Sequence, residues 1–277
     1  MPFNIEPSTN ISVKMATRGR PELALESMKS CIETADDPSG IEFLVAIDDD
    51  DQATIDYVNN TMVPYFEEAD VDFQCFVQPR LGYARLNEYD NQLATESRGR
   101  WLLTWNDDAR MESKGWDTEV LSHNGQFAVL RMQDNHGHPY AIFPIIPRDW
   151  VVFFGTCSPF PYIDAWISQV AYPNDAVIQL KSRCLHDRHD LTGNNNDDTY
   201  KERDLTHEGN PDKPGDFLHK DTVNLRWQWT LKMNWLRKRL GQDNGFFDSV
   251  QEGKANYNDK LLEQDTKGFL TTYKLST

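Results

Sequence analysis

Two neighbouring carboxylates at the end of an apolar run are the first place where this sequence could do chemistry. Trp101-Leu102-Leu103-Thr104-Trp105 runs directly into Asn106-Asp107-Asp108. A short apolar run closing on acidic residues reads as a buried strand whose carboxyl end opens onto a site. Ligands of open α/β sheets sit at that edge. Asp107 and Asp108 repel each other unless a cation lies between them. Hard oxygen donors favour Mg2+ or Mn2+, ions that also hold phosphate oxygens. Taken alone, the tripeptide fits a solvated turn equally well.

Three more clusters follow the same logic. Thr17-Arg18-Gly19-Arg20-Pro21 offers a compact backbone, two guanidinium groups and a helix N-terminus, which suit a nucleotide base and its phosphates. Asp48 to Asp51 closes a second apolar run, where a carboxylate can accept from a ribose hydroxyl or a base N–H. Some of those four acids are instead a helix cap and its first turn. The third cluster is Leu81-Gly82-Tyr83-Ala84-Arg85-Leu86-Asn87.

The elements that must carry these clusters are legible in the hydrophobic pattern. Strands are expected at Ile11 to Ala16, Ile41 to Ile47, Val71 to Val77 and Trp101 to Trp105. Helices fall between them. The first, after Pro21, carries Leu25, Met28 and Ile32. The second carries Ile55, Val58, Met62, Tyr65 and Phe66. The third spans Tyr83 to Ser97, with Leu86, Tyr89 and Leu93 as its stripe. This βαβαβαβ order implies a parallel sheet with right-handed crossovers. The second half is less regular. Strands are expected at Phe127 to Met132, Tyr140 to Ile146, Trp150 to Phe154 and Ala176 to Leu180. Pro161 to Ala171 reads as a short helix and His186 to Asn196 as a polar loop. Thr222 to Leu240 reads as a basic, aromatic helix carrying Leu225, Trp229, Leu236 and Leu240, packed on the main domain or on a second subunit.

The 277 residues suffice for one large domain or two small ones, with a sizeable core. The formal net charge of −16 argues against a broad basic surface for nucleic acid or anionic lipid. No apolar run approaches a membrane span. Met1 to Asn10 lacks the pattern of a secretory signal. Cys31, Cys75, Cys157 and Cys184 are scattered, with no metal-ligand spacing, and Cys31 and Cys75 read as buried thiols. A cytoplasmic setting is expected.

In succession, these motifs resemble the GT-A fold glycosyltransferases, nearest to family 2 of the nucleotide-sugar-dependent enzymes. Thr17 to Pro21 is similar to the Thr-Arg-x-Arg-Pro-like turn after that family's first strand. Asp48-Asp49 is similar to its second-strand Asp-Asp. Gly82, Arg85 and Asn87 loosely match its Gly-x-x-x-Ala-Arg-Asn-like run, with altered spacing. Asn106-Asp107-Asp108 stands as a variant of the metal-binding Asp-x-Asp motif, with Asn first. The resemblance covers about residues 11 to 200. It implies a Rossmann-like, mostly parallel α/β sheet flanked by helices. Residues 1–211 would form the GT-A domain, with a nucleotide-sugar half over 1–110 and an acceptor half over 111–211. Residues 212–277 would be a C-terminal helical extension. Thr17, Arg18, Arg20, Asp48, Asp49, Arg85, Asn106 and Asp107 would meet the donor, and Asp108 would ligate Mn2+ or Mg2+.

In the second half, Phe160 to Trp166 resembles the family's Glu-Asp segment. Asp164 matches its catalytic base, with Ile163 in place of the neighbouring acid; a helix cap is the plain alternative. The resemblance also implies a His after the last strand that completes the metal shell or touches the diphosphate, either His186, nearer the strand, or His189. Asn194 to Arg203 resembles a loop that closes over the donor. Trp105, Trp116, Trp150 and Trp166 are candidates to stack on sugar rings, or simply core. The expected reaction moves a sugar, with inversion, from a UDP-sugar to an acceptor hydroxyl. The acidic balance favours a small sugar, glycan or protein acceptor. Arg226, Lys232, Arg237, Lys238 and Arg239 on the basic helix would admit a hydroxylated DNA base, as in bacteriophage DNA modification. A homo-oligomer could form through the C-terminal helices. Two other functions fit the same residues. One is a metal-dependent phosphohydrolase built on His186-Asp187 and His189-Asp190. The other is a non-catalytic nucleotide-sugar-binding module.

Overall fold

The computed structural model describes residues 7–137, 140–188, 193, 201–202 and 212–251. Its first half alternates strands and helices: β1 (Thr9–Ala16), α1 (Pro21–Thr34), β2 (Ile41–Asp48), α2 (Gln52–Tyr57), α3 (Val63–Glu68), β3 (Asp72–Gln78), α4 (Leu86–Glu96) and β4 (Gly99–Thr104). Strand β1 pairs parallel with β2 and β4, and β2 pairs parallel with β3. Every residue of β2 is buried. Phe43, Val45 and Ile47 point to the core under α1 to α3, and Leu44 and Ala46 to the core under α4. That two-sided burial is why the strand reads as a continuous apolar run. The second expected helix runs through a π turn at Val58–Met62 between α2 and α3, with Val58, Met62 and Phe66 buried. At Gly99, a Cβ would lie 2.5 Å from the backbone nitrogen of Ser12, so β1 and β4 approach closely only without a side chain there.

The second half continues the same sheet. It contains β5 (Ala109–Met111), α5 (Trp116–Leu121), β6 (Val129–Asp134), β7 (Ile145–Pro147), α6 (Arg148–Phe154), α7 (Ile163–Ala171) and β8 (Val177–His186). The strand order is β3-β2-β1-β4-β7-β6-β8-β5. The antiparallel strand β7 lies against β4 and steers β6 and β8 across the sheet. Strand β8 then returns beside β5, with His186 opposite Ala109.

Three expectations change here. Trp150 to Phe154 is helix, not strand: a short apolar run has no decisive period, and Trp150 is the buried anchor of α6. The expected strand Tyr140 to Ile146 shrinks to Ile145–Pro147, the part that reaches β4. The last strand extends to His186, so that residue is strand end rather than loop.

The helix α8 (Lys220–Arg239) packs on α7 of its own chain. Trp229 and Met233 share a core with Trp150, Trp166 and Ile167. The side chains that bury are not the expected stripe alone: Leu240 is exposed, whereas Arg226 and Arg237 are buried. The Arg226 guanidinium stacks over Phe217 and Trp166, and burial pulls its pKa down. Arg237 donates to the carbonyls of Phe127 and Gln242. The five-residue basic face expected from sequence is therefore reduced to Lys232, Lys238 and Arg239, and Lys238 is paired with Asp248. None of the described helices is long and apolar enough to cross a membrane.

Candidate active site

The carboxyl ends of β1, β2 and β4 open into one cleft of about 880 Å³. Its rim is built first by the turn after β1. Gly19 takes φ of 66°, a left-handed conformation that glycine adopts without strain. Its N–H donates to the Asp51 carboxylate at 2.7 Å. Asp51 is also the N-cap of α2, accepting from the Thr54 N–H at 3.2 Å. Burial works against ionisation of Asp51, but its donors Thr54 and Gly19 outweigh it and hold the carboxyl below its ordinary range. Arg18 bonds Asp48 at 2.9 Å and also meets Asp50. Those contacts, Asp50 first, raise the guanidinium pKa further above its ordinary value. Asp48 is buried and accepts from the Tyr89 hydroxyl, which in turn accepts from the Leu81 N–H at 2.7 Å. Burial and then Asp48 push Tyr89 up to about 12, so the phenol stays a donor.

The acidic turn after β4 is asymmetric. Both oxygens of Asp107 are engaged, one by Thr17 Oγ1 at 2.7 Å and one by Arg20 at 2.6 Å. The expected repulsion between Asp107 and Asp108 is thus relieved on one side by a guanidinium. Asp108 faces the other way, with Oδ1 3.4 Å from His186 Nε2. Three contacts set this meeting. Ala109 pairs with His186 across β5 and β8. The Asp187 N–H donates to the Asp108 carbonyl at 2.8 Å. The His186 N–H donates to Asn135 Oδ1 at 2.7 Å.

The pair fits a divalent cation. Neighbouring donors on one six-coordinate ion with bonds of about 2.1 Å lie about 3 Å apart, close to the observed separation. Carboxylate oxygen and imidazole nitrogen are both donors that Mn2+ accepts. His186 Nδ1 is buried without a hydrogen bond among the described residues, so no such bond commits the ring to one tautomer. Among the described residues no group of three His, Cys, Asp or Glu could hold a metal ion. Ligand oxygens or water would have to complete the shell.

Asp164, in the first turn of α7, lines the same cleft. It is half-buried, and no described residue hydrogen-bonds its carboxylate. The N-cap of α7 is Tyr162, so Asp164 does not cap that helix. Tyr140, Tyr162, Phe217 and Leu218 line the cleft too.

The cleft therefore gathers Thr17, Arg18, Arg20, Asp48, Asn106, Asp107, Asp108, Asp164 and His186. It leaves out two expected donor contacts. Asp49 is exposed and does not line the cleft, because side chains alternate past the end of β2. Arg85 is also exposed, paired with Glu88 one helical turn on. The four tryptophans offered as sugar platforms are all buried, Trp105 alone of them lining the cleft: Trp105 and Trp116 donate inward to Ser27 and the Cys31 carbonyl, and Trp150 and Trp166 are core. His189, Asp190 and residues 194–200 of the expected loop lie outside the described residues. Of that loop's end, Glu202 accepts from the Tyr83 N–H at 3.0 Å and pairs with Arg80 on the rim.

Sequence reasoning missed the floor of the cleft. Lys14 in β1 is fully buried and donates to Asp90 of α4 at 2.8 Å and to Cys157 Sγ at 3.3 Å. Burial would lower the Lys14 pKa, yet Asp90 and Cys157 outweigh it and the net shift is upward. Two signals pointed here: a lysine inside the apolar run Ile11 to Ala16, and an aspartate on the Leu86–Leu93 stripe. A buried charge requires a partner.

No family model matches the sequence, and no curated protein matches it. Solved structures do. The mannosyltransferase PcManGT of Pyrobaculum calidifontis, in complex with GDP-Man and Mn2+, superposes with a TM-score of 0.54 at 12% identity, over 100% of this chain and 90% of that one. TarS residues 1–349 of S. aureus in complex with UDP gives 0.51 at 11% identity, over 97% and 92%. The same TarS fragment with UDP-GlcNAc gives 0.50 at 12% identity, over 90% and 93%. The chain has the GT-A fold. In this chain the first half of the sheet is parallel, and the antiparallel return of β8 to β5 brings His186 to Asp108.

Proposed function

We propose that this protein is a glycosyltransferase that moves a sugar from a UDP-sugar to an acceptor hydroxyl, with a divalent cation at Asp108 and His186. One observation carries the reading: Asp108 and His186, 3.4 Å apart, line the same cleft as Asp164 in a GT-A fold. The ligands of PcManGT and TarS, GDP-Man with Mn2+ and UDP or UDP-GlcNAc, support a nucleotide-sugar donor. The choice of uridine rests on the motif resemblance, as does inversion.

Each residue then has a physical task. Asp48, held by Arg18 and Tyr89, presents a fixed acceptor to the nucleoside. Arg20, tied to Asp107, brings positive charge to the phosphate end of the cleft. A bound cation would supply Lewis-acid neutralisation of the departing diphosphate. Asp164 takes the proton of the incoming hydroxyl, because an unassisted alcohol is a weak nucleophile at neutral pH. The aromatic side chains Tyr140, Tyr162 and Phe217 suit a sugar or glycan acceptor. Four free cysteines are consistent with the cytoplasmic setting.

The test is Asp164→Asn, which keeps size and removes the basic site. Turnover of UDP-sugars with Mn2+ should fall about a hundredfold or more, the scale of general base catalysis, with donor binding nearly unchanged. Normal turnover by that variant would move the base elsewhere. Donor binding by the wild type without any turnover would leave a nucleotide-sugar-binding module.

A further inference from the structure

The Lys14–Asp90 pair is an expensive feature to bury, and half of its carboxylate is unused. Asp90 Oδ1 accepts from Lys14 Nζ at 2.8 Å and from Thr104 Oγ1 at 2.9 Å. Oδ2 is buried and takes no hydrogen bond of ordinary geometry among the described residues, with the weak Cys157 thiol donor lying beside the carboxylate. Asp90 is 6% exposed, and with Lys14, Leu93 and Thr104 it lines the cleft. An unsatisfied charged acceptor costs its desolvation unless a ligand group donates to it.

Its position says which ligand group that is. Lys14 lies in register with Thr104 on β4, two residues before Asn106. On the other side, Lys14 touches Cys157, and Asn91 binds the N–H groups of Cys157 and Ser158 at 3.0 and 3.2 Å. From Ser158 the chain runs into α7 and Asp164. Asp90 thus sits between the strand end that carries Asp108 and the segment that leads to Asp164. That is where the transferred group must lie, between leaving diphosphate and attacking hydroxyl.

The geometry points to Asp90 as a specificity-determining residue that accepts a hydroxyl of the transferred sugar, and so selects a neutral hexose over a hexuronate. This assignment rests on the glycosyl-transfer reading above. A hydroxyl donates to Oδ2 and satisfies it. A carboxylate brings a second acceptor and a like charge. The nearest cation, Lys14, already serves Asp90 Oδ1 and Cys157, and the Thr104 hydroxyl is committed to the same Oδ1.

The experiment measures binding with Mn2+ by calorimetry, using UDP, UDP-glucose, UDP-glucuronate, GDP and GDP-mannose as probes. The variants are Asp90→Asn and the charge-free pair Lys14→Met with Asp90→Leu, which leaves no unpaired buried charge if the single change fails to fold. The wild type should bind a nucleotide hexose more tightly than the matching diphosphate or the glucuronate. In the variants, diphosphate affinity should stay within about twofold. Affinity for the nucleotide hexose should fall at least about tenfold, the loss of one hydrogen bond to a charged group. Equal losses on diphosphate and nucleotide sugar would reduce Asp90 to a support of the cleft wall and overturn the assignment. No loss on either would leave water as the partner of Oδ2 and overturn it too. A wild type that binds none of the nucleotides overturns the glycosyl-transfer reading itself, a result distinct from the other two.

Discussion

Adjacent carboxylates Asp107 and Asp108 should respond to mutation in opposite ways. Asp107→Ala removes the acceptor of two hydrogen bonds, from Thr17 at 2.7 Å and Arg20 at 2.6 Å. The Asp107 side chain is 3% exposed and that of Arg20 16%. Breaking a buried ion pair by deleting one partner costs about 3–5 kcal/mol. Arg20 can partly rehydrate, so the lower end, about 3 kcal/mol, applies. For a chain of this size each kcal/mol moves Tm by about 2–4 °C, which gives a fall of about 6–12 °C. Mn2+ should still stabilise this variant. Asp108→Asn should do the reverse, keeping most of the stability while losing the metal response. In the wild type that response is about 2.7 kcal/mol at a hundred times the Kd. Scanning calorimetry of both variants, with and without Mn2+ and UDP, reads both effects. The reasoning is refuted if Asp107→Ala melts like the wild type but ignores Mn2+, or if Asp108→Asn keeps the full Mn2+ shift.

Three further outcomes are expected. Asp51→Ala should cost about 1 kcal/mol at neutral pH through the lost cap of α2 and the freed Gly19 N–H. Because the folded carboxyl is held below its ordinary range, its contribution is complete above the unfolded pKa of about 3.9 and disappears as pH falls through the folded value. Urea unfolding of both proteins should therefore converge in acid; a gap that persists there contradicts the assignment. Burial raises Cys31, Cys157 to about 12, Cys184 to about 12 and Cys75 to about 11, so native protein at about pH 8 should show no fast thiol with a disulfide reagent. Denaturation should release all four. With Arg226 and Arg237 turned inward, DNA retention at low salt should be negligible, and strong salt-sensitive retention would revive a DNA acceptor.

How far the sequence reaches differs between the halves of the sheet. Strands β1, β2 and β4 and the helices around them were legible because these strands are largely buried and each helix carries an apolar stripe, so local pattern and tertiary role coincide, while β3, at the sheet edge, is only half-buried. The short apolar runs at Tyr140 to Phe154 were not. Such a run takes helix or strand according to the neighbours it meets, and only the approach of Ile145–Pro147 to β4 decides it.

The site divides along the same line. The sequence by itself determined which chemistry stands at the strand ends, because Thr17, Asp48 and Asp108 follow apolar runs that must be strands, and side chains at strand ends open to one edge. It could not assign partners. Asp107 is spent on Arg20 because β4 lies beside β1, and Asp108 meets His186 through the antiparallel return of β8; both are pairings between residues far apart in the chain. Burial was equally hidden. Arg226 sits in an aromatic core, all four candidate sugar-stacking tryptophans are interior, and Lys14 lies under the cleft beside Asp90. A residue's type sets what it can bond, but only the packed chain decides whether water, a neighbouring side chain or a ligand is there to be bonded.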